Sequence, residues 1–420
     1  MENECFELPA FGKAEAGRLC YPMDPTQALL YQRLKKIGKN YATTIDIKFY
    51  LPLEASIDAG RLEKAVREVI HAHSIYAAEL VEQGDEVMVK RSDRSAKVER
   101  LTATDAEAES FIATFGNTPR QPDEALHRFV VLEAPSHIYL FGRVCHAVTD
   151  MFSCILFIQE IAKRYNGEPV ESEKRDWFDW VAYKEACRDS EAGRKVLSEV
   201  GDRLADFPLL PTNEPVNPVE HYAAPLLGKK EMKAVQTFAI RLKTNKMMLL
   251  MAAFSLAMMR MQRQDKVALA MTYHGRSIHA ASGIHGSMAC KMPMLAELPA
   301  SGRVTDYVAK FLAFRAEMDQ YAALNEPIMA AYADRIDYMV SFNVHVPIPR
   351  ILFEGNEVEI CRYPVPPFSV RLMAIMTNTP EGWFLSLQSN RWSGAELQAL
   401  HESLRQILLR MPQCALVAEL

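Results

Sequence analysis

The stretch Arg143-Val-Cys-His-Ala-Val-Thr-Asp-Met-Phe-Ser153 sets a thiol, an imidazole and a carboxylate within a few residues of one another. A neutral imidazole is the side chain best suited to take up a proton near pH 7. Apolar strand formers over Ser136 to Val148 predict a strand, in which alternate side chains share a face. Ile138, Leu140, Val144 and His146 then lie on one face, so His146 ends an apolar stripe where the strand breaks. Cys145 points to the opposite face, which excludes a Cys145–His146 nucleophilic pair. Asp150 stands at or next to a helix N-cap, where a carboxylate accepts backbone N–H groups. A partly buried strand-end histidine and a capping aspartate would give the same short HxxxD pattern.

The elements that would hold these residues are legible around them. Met151 to Tyr165 reads as a helix, stopped by Asn166-Gly167. Leu62, Ala65, Val66, Val69 and Ile70 recur at helical spacing between Ile57 and His73, with Asp58 or Ser56 as cap. Further on, Thr237 to Leu242 reads as a strand, Asn245 to Gln262 as a helix and Val267 to Tyr273 as a strand. Trp383 to Gln388 alternates like a strand, and Ser393 to Arg410 is an amphipathic helix capped by Ser393. Four prolines between Phe207 and Pro218 suggest a crossover between lobes. The expectation is an α+β (mixed α/β) chain of two lobes, residues 1–187 and 188–420.

Composition narrows the function classes. The 48 basic and 53 acidic side chains leave a net charge of −5, a poor match to a nucleic acid. The eight cysteines form no CxxC pair and read as reduced thiols of a cytoplasmic protein. The Met-rich run Met247 to Met259 is shorter than the ~20 residues of a membrane-crossing helix and reads as a buried one. The acidic N-terminus lacks the marks of a secretory signal. No GxGxxG, P-loop, HExxH or GxSxG motif is present, so nucleotide cradling, zincin chemistry and a serine elbow have no support, and no metal is expected.

The Cys145-His146-x-x-x-Asp150-Met151 block resembles the HHxxxDG motif of non-ribosomal peptide synthetase condensation domains, in the chloramphenicol-acetyltransferase-like superfamily. Other pieces resemble the family's motifs in order. Met23 to Arg33 looks like the opening S-x-A-Q-x-R motif, and Leu62 to Leu80 like the R-H-E-x-L-R segment. Trp177-Phe-Asp-Trp-Val181 looks like Y-x-D-F-A, and Lys243 to Gly275-Arg276 like the long helix, strand and G-R turn. Gly286-Ser-Met288 stands where I-G-x-F-V-N-T is expected, and Ser341-Phe-Asn343 where a strand ends in F-N. Departures are Cys145 for the first His, Met151 for the Gly, Ala72 and Ala77 for paired Arg residues, and Cys290 for an Asn.

The resemblance implies two acetyltransferase-like lobes in a V, with the motif facing a tunnel between them. Donor and acceptor would enter from opposite sides on the phosphopantetheine arms of carrier proteins, or the donor as an acyl-coenzyme A, and no cofactor would be bound tightly. His146 would remove the amine proton or orient the amine. Asp150 would be structural, with Arg276 as its partner. Asn343 would hydrogen-bond near the reaction centre, and Cys145 and Met151 would line the channel. His274, His285 and His345 are read as incidental. Because the first motif follows Met1 closely, a starter-type domain is expected, N-acylating the first amino acid, with an adjacent adenylation domain if the chain is part of a larger synthetase. Two alternatives stand beside it: a free-standing O- or N-acyltransferase of the same superfamily, and a non-catalytic domain that recruits a partner enzyme.

Overall fold

The computed structural model describes residues 7–23, 27–28, 31, 46–84, 86–93, 96–118, 125–170, 175–209, 219–276, 281–332, 336, 339–341, 350–363 and 371–420. The first half contains β1 (Cys20–Pro22), β2 (Asp46–Glu54), α1 (Ala59–Ala72), β3 (Glu79–Gln83), β4 (Glu86–Lys90), β5 (Lys97–Thr102) and α2 (Asp105–Phe115). It continues with β6 (His127–Glu133), β7 (His137–Cys145), α3 (Met151–Asn166), α4 (Trp177–Asp189) and α5 (Glu191–Ala205). The second half contains β8 (Glu220–Gly228), α6 (Lys229–Arg241), α7 (Lys246–Gln262), β9 (Lys266–Tyr273), β10 (Cys290–Glu297), α8 (Val304–Gln320) and α9 (Asn325–Ala331). Then come β11 (Met339–Ser341), β12 (Leu352–Phe353), β13 (Asn356–Glu357), β14 (Cys361–Arg362), β15 (Met373–Thr379), β16 (Gly382–Ser389) and α10 (Gly394–Arg410).

Two large mixed sheets organise the halves. The first runs β14–β2–β7–β6–β5, and the second β10–β9–β11–β15–β16–β8. Period-two alternation explains how the first sheet is covered on both faces. Phe129, Val131, Ile138 and Leu140 join the main core, while Val130, Leu132 and Phe141 pack with Ala108 and Phe115 of α2 in a separate cluster. α1 places Leu62, Val66, Val69 and Ile70 in the main core, its first turn capped by Asp58. In the second half, α7 is buried continuously from Leu249 to Met259, the helix expected from its apolar run.

The expected strand at Thr237 to Leu242 is instead the end of α6. Val235, Phe238 and Ala239 are its buried residues, spaced i, i+3 and i+4. A six-residue window cannot separate that period from alternation. The stretch Trp177 to Leu204 forms two helices, α4 and α5, broken at Ser190, which caps the second. The proline cluster falls mostly outside the described residues. The halves also exchange structure. β14 pairs antiparallel with β2, Cys361 opposite Tyr50, so the second half supplies an edge strand to the first sheet.

Candidate functional site: the HxxxD turn and its clamp

β7 ends at Cys145, whose carbonyl accepts from the amides of Val148 (3.2 Å) and Thr149 (3.0 Å). This tight turn brings the half-buried His146 ring back onto its own backbone: Nδ1 lies 2.9 Å from the Thr149 carbonyl. A carbonyl can only accept, so Nδ1 carries the proton and the neutral ring presents its lone pair at Nε2. An imidazole fixed in this tautomer can take a proton from an amine at Nε2, or orient it.

Asp150 is committed elsewhere. It is the N-cap of α3, and its Oδ1 accepts from Ser153 N at 2.8 Å and Arg276 Nη2 at 3.1 Å. Its Oδ2 accepts from Arg276 Nη1 at 2.8 Å and from the amides of Met288 and Ala289, both at 2.9 Å. Burial alone would raise this carboxyl's pKa. The Arg276 charge and hydrogen bonds, with the Ser153 and Met288 amides, hold it below the ordinary value. Asp150 therefore stays a charged acceptor, surrounded by donors.

The clamp extends through Ser153. Arg276 Nη2 donates to Ser153 Oγ (2.7 Å), to Ile284 O (3.2 Å) and to Gly286 O (3.0 Å). Ser153 Oγ donates to Gly286 O at 2.7 Å and accepts from Gly286 N at 2.9 Å. Ser287 N donates to Val148 O at 2.8 Å, and Trp177 Nε1 donates to Ser287 O at 2.9 Å. Loop 284–289 of the second half is thus stitched to the turn that holds His146. Gly286 has φ +138°, and a Cβ there would sit 2.3 Å from the Trp177 ring, so glycine is required.

Of the other expected site residues, Cys145 is buried in the main core, and Met151 is the half-buried first residue of α3, packed against that core. Asn343 and His345 lie outside the described residues. Phe152 carries the Arg276 guanidinium 4.8 Å above its ring and stacks 6.2 Å from His274.

One cluster escaped the sequence reading. His73 Nε2 lies 2.6 Å from Glu160 Oε2, and Arg164 Nε and Nη2 donate to Glu160 Oε1 at 2.9 and 2.6 Å. The His285 ring stacks on His73 at 3.7 Å and 10°, with the Tyr76 hydroxyl 3.0 Å from its Nδ1. The available signal was Glu160, a carboxylate among Phe157, Ile158, Ile161 and Ala162 on a buried helix face, which demands a partner. His73, Glu160 and His285 offer ligand atoms within 4.8 Å of one another. With the two rings parallel, their in-plane lone pairs run side by side instead of converging, which suits a hydrogen-bonded stack and not a metal cage.

A condensation-domain family model matches residues 19–344, a span that contains the HxxxD turn, the Asp150–Arg276 pair and the clamping loop. The chain belongs to the condensation-domain family. Surfactin synthase subunit 2 of Bacillus subtilis (strain 168) is 26% identical over 282 residues, 63% of this chain and 8% of that protein. This condensation domain thus spans less than a tenth of the length of the curated relatives it matches. The starter condensation domain of rhizomide synthetase, solved with C8-CoA, matches at TM-score 0.70 and 14% identity over 95% of this chain and 96% of that one. The X-domain solved in complex with OxyB, from teicoplanin biosynthesis, matches at TM-score 0.72 and 14% identity over 97% and 96%. These likenesses show the mixed α/β condensation-domain fold. Among the described residues, no helix is long and apolar enough to cross a membrane.

Proposed function

We propose that this condensation domain, related to peptide synthetase domains, forms an amide from an acyl thioester and the amine of a carrier-bound amino acid, with His146 at the reaction centre. The observation that carries this reading is the His146 ring, fixed by Nδ1 on the Thr149 carbonyl with Nε2 left to meet an amine. The amine nitrogen attacks the thioester carbonyl, the C–N bond forms and the C–S bond breaks. Nε2 takes the proton from nitrogen and passes it to the departing thiolate. Such proton transfer contributes about 10²–10⁴-fold, and positioning of two bound reactants supplies the rest.

The donor in this reading is an alkyl acyl thioester, on a phosphopantetheine arm or as an acyl-coenzyme A, in a starter role. Its partner is a carrier protein, with an adjacent adenylation domain if the chain is part of a larger synthetase, in the cytoplasm. Met151, flexible and apolar at the start of α3, supports an alkyl donor. In the test, purified protein receives an aminoacyl carrier with acyl-coenzyme A thioesters of graded length, beside an aminoacyl-carrier donor. Mass spectrometry of the carrier reads the product. N-acylation lost in His146→Ala supports the reading, and full activity in that variant removes His146 from the reaction. Use of the aminoacyl donor alone replaces the starter role with an internal condensation. A second reading, a domain that recruits a partner enzyme, draws on Cys145 and Met151 standing where the family has His and Gly. It gains if no donor is used at all.

A further inference from the structure

We propose that the stacked His73 and His285 rings form an acid-sensitive clasp between the two halves, holding loop 284–289 on the HxxxD turn until the second ring takes up a proton. The inference concerns regulation of the site proposed above and rests on that reading only for its consequence on activity.

The clasp joins elements far apart in sequence. His73 follows α1 and His285 lies in the loop before β10, between Ile284 and Gly286, whose carbonyls both accept from Arg276. The same loop gives Asp150 its Met288 and Ala289 donors. His285 is 3% exposed and His73 4%. The described groups facing His285 are His73 and Tyr76 behind α1, Glu160 with its partner Arg164 on α3, and Arg276 after β9. His127 meets Tyr76 edge-on, with ring centroids 5.4 Å apart.

Charge decides how many protons this nest holds. Among the described residues facing the two rings, Glu160 is the carboxylate, and it is already bound by Arg164 on Oε1 and by His73 on Oε2. His285 Nε2 lies 3.7 Å from Glu160, outside hydrogen-bond reach. A proton on His285 would place a second cation face to face with the His73 ring, out of water. Burial first, then His73 and Arg276, push its pKa well below the ordinary imidazole value. An opened loop frees the ring to titrate normally. Opening is therefore favoured as pH falls below about 6.5.

The test reads hydrogen exchange of the Ser287, Met288 and Ala289 amides in the intact protein, corrected for the intrinsic pH dependence of exchange. Between about pH 7.5 and 5.5 their protection should fall about tenfold, the expectation for one proton taken up on opening. Amides in the middle of α10 serve as the control for global loosening and should hold. His285→Val and His285→Gln, the latter able to keep a bond to Tyr76, should flatten the loop profile. A flat wild-type profile, an equal fall in α10, or an unchanged fall in either variant overturns the clasp. Exchange needs no turnover, so a protein that makes no amide still gives a decisive answer.

Discussion

Asp150→Ala removes five hydrogen-bond acceptances at once, two from Arg276 and one each from the amides of Ser153, Met288 and Ala289. The Arg276 side chain is only 1% exposed, so the variant leaves its charge buried without a counterion. Breaking a buried pair on one side costs about 3–5 kcal/mol. At about 2–4 °C per kcal/mol for lobes of this size, the melting temperature should drop by roughly 6–20 °C. Arg276→Met should fall comparably. The double variant should lose clearly less than the two singles together, because each single strands a partner that the double does not. The depressed Asp150 pKa fixes the pH window. Its contribution is fully present above the ordinary carboxylate range, near 3.9, and is lost as pH falls through the lower folded value. The gap between wild type and Asp150→Ala should accordingly stay constant from about pH 6 to 8 and close only in acid. Differential scanning calorimetry or fluorimetry on the three variants reads all of this. A variant that melts with wild type but makes no product would refute a structural role and move Asp150 into the chemistry.

Three further outcomes follow from packing. Gly286→Ala forces a Cβ to 2.3 Å from Trp177 at a φ of +138°, so it should unfold more readily and lose the buried environment of Trp177, read by tryptophan fluorescence. Tyr363→Ala deletes a ring packed near Tyr50 and Phe115 and a hydroxyl bonded to Ile112 O at 2.8 Å. Limited proteolysis should then cut segment 350–363 faster, with an overall loss of about 1–2 kcal/mol for a half-buried ring. Met151→Gly, measured with acyl-coenzyme A donors of graded length, should shift the preferred chain length; an unchanged profile would mean that Met151 only packs the helix start.

What the sequence revealed depended on range. Elements governed by neighbours a few residues away were readable: α3 from its cap at Asp150 to the left-handed Gly167, α7 from its apolar run, and α10 from Ser393. The α6 misreading came from judging Thr237 to Leu242 without Met232 and Val235, which complete its helical stripe. At the site, the HxxxD residues stood out because their types are rare neighbours. Resemblance, and not spacing, pointed from Asp150 to Arg276, since nothing local links positions 126 residues apart. The His73–Glu160–His285 stack stayed hidden for the same reason: its members come from three separated segments, and only the buried carboxylate hinted that partners existed.

The β14–β2 pairing has a consequence for how the molecule is made. Tyr50 waits for Cys361, about 300 residues later in the chain. β2 joins a sheet only once β7 is made, so an uncapped sheet edge stands for the roughly 215 residues between Cys145 and Cys361, about 10–45 s at roughly 5–20 residues per second of translation. Such an edge invites pairing with other nascent chains. Cleaving the polypeptide near residue 187 would make that delay permanent. The first lobe would emerge with β2 as a free border, and its solubility would depend on co-expression with the segment that carries β14.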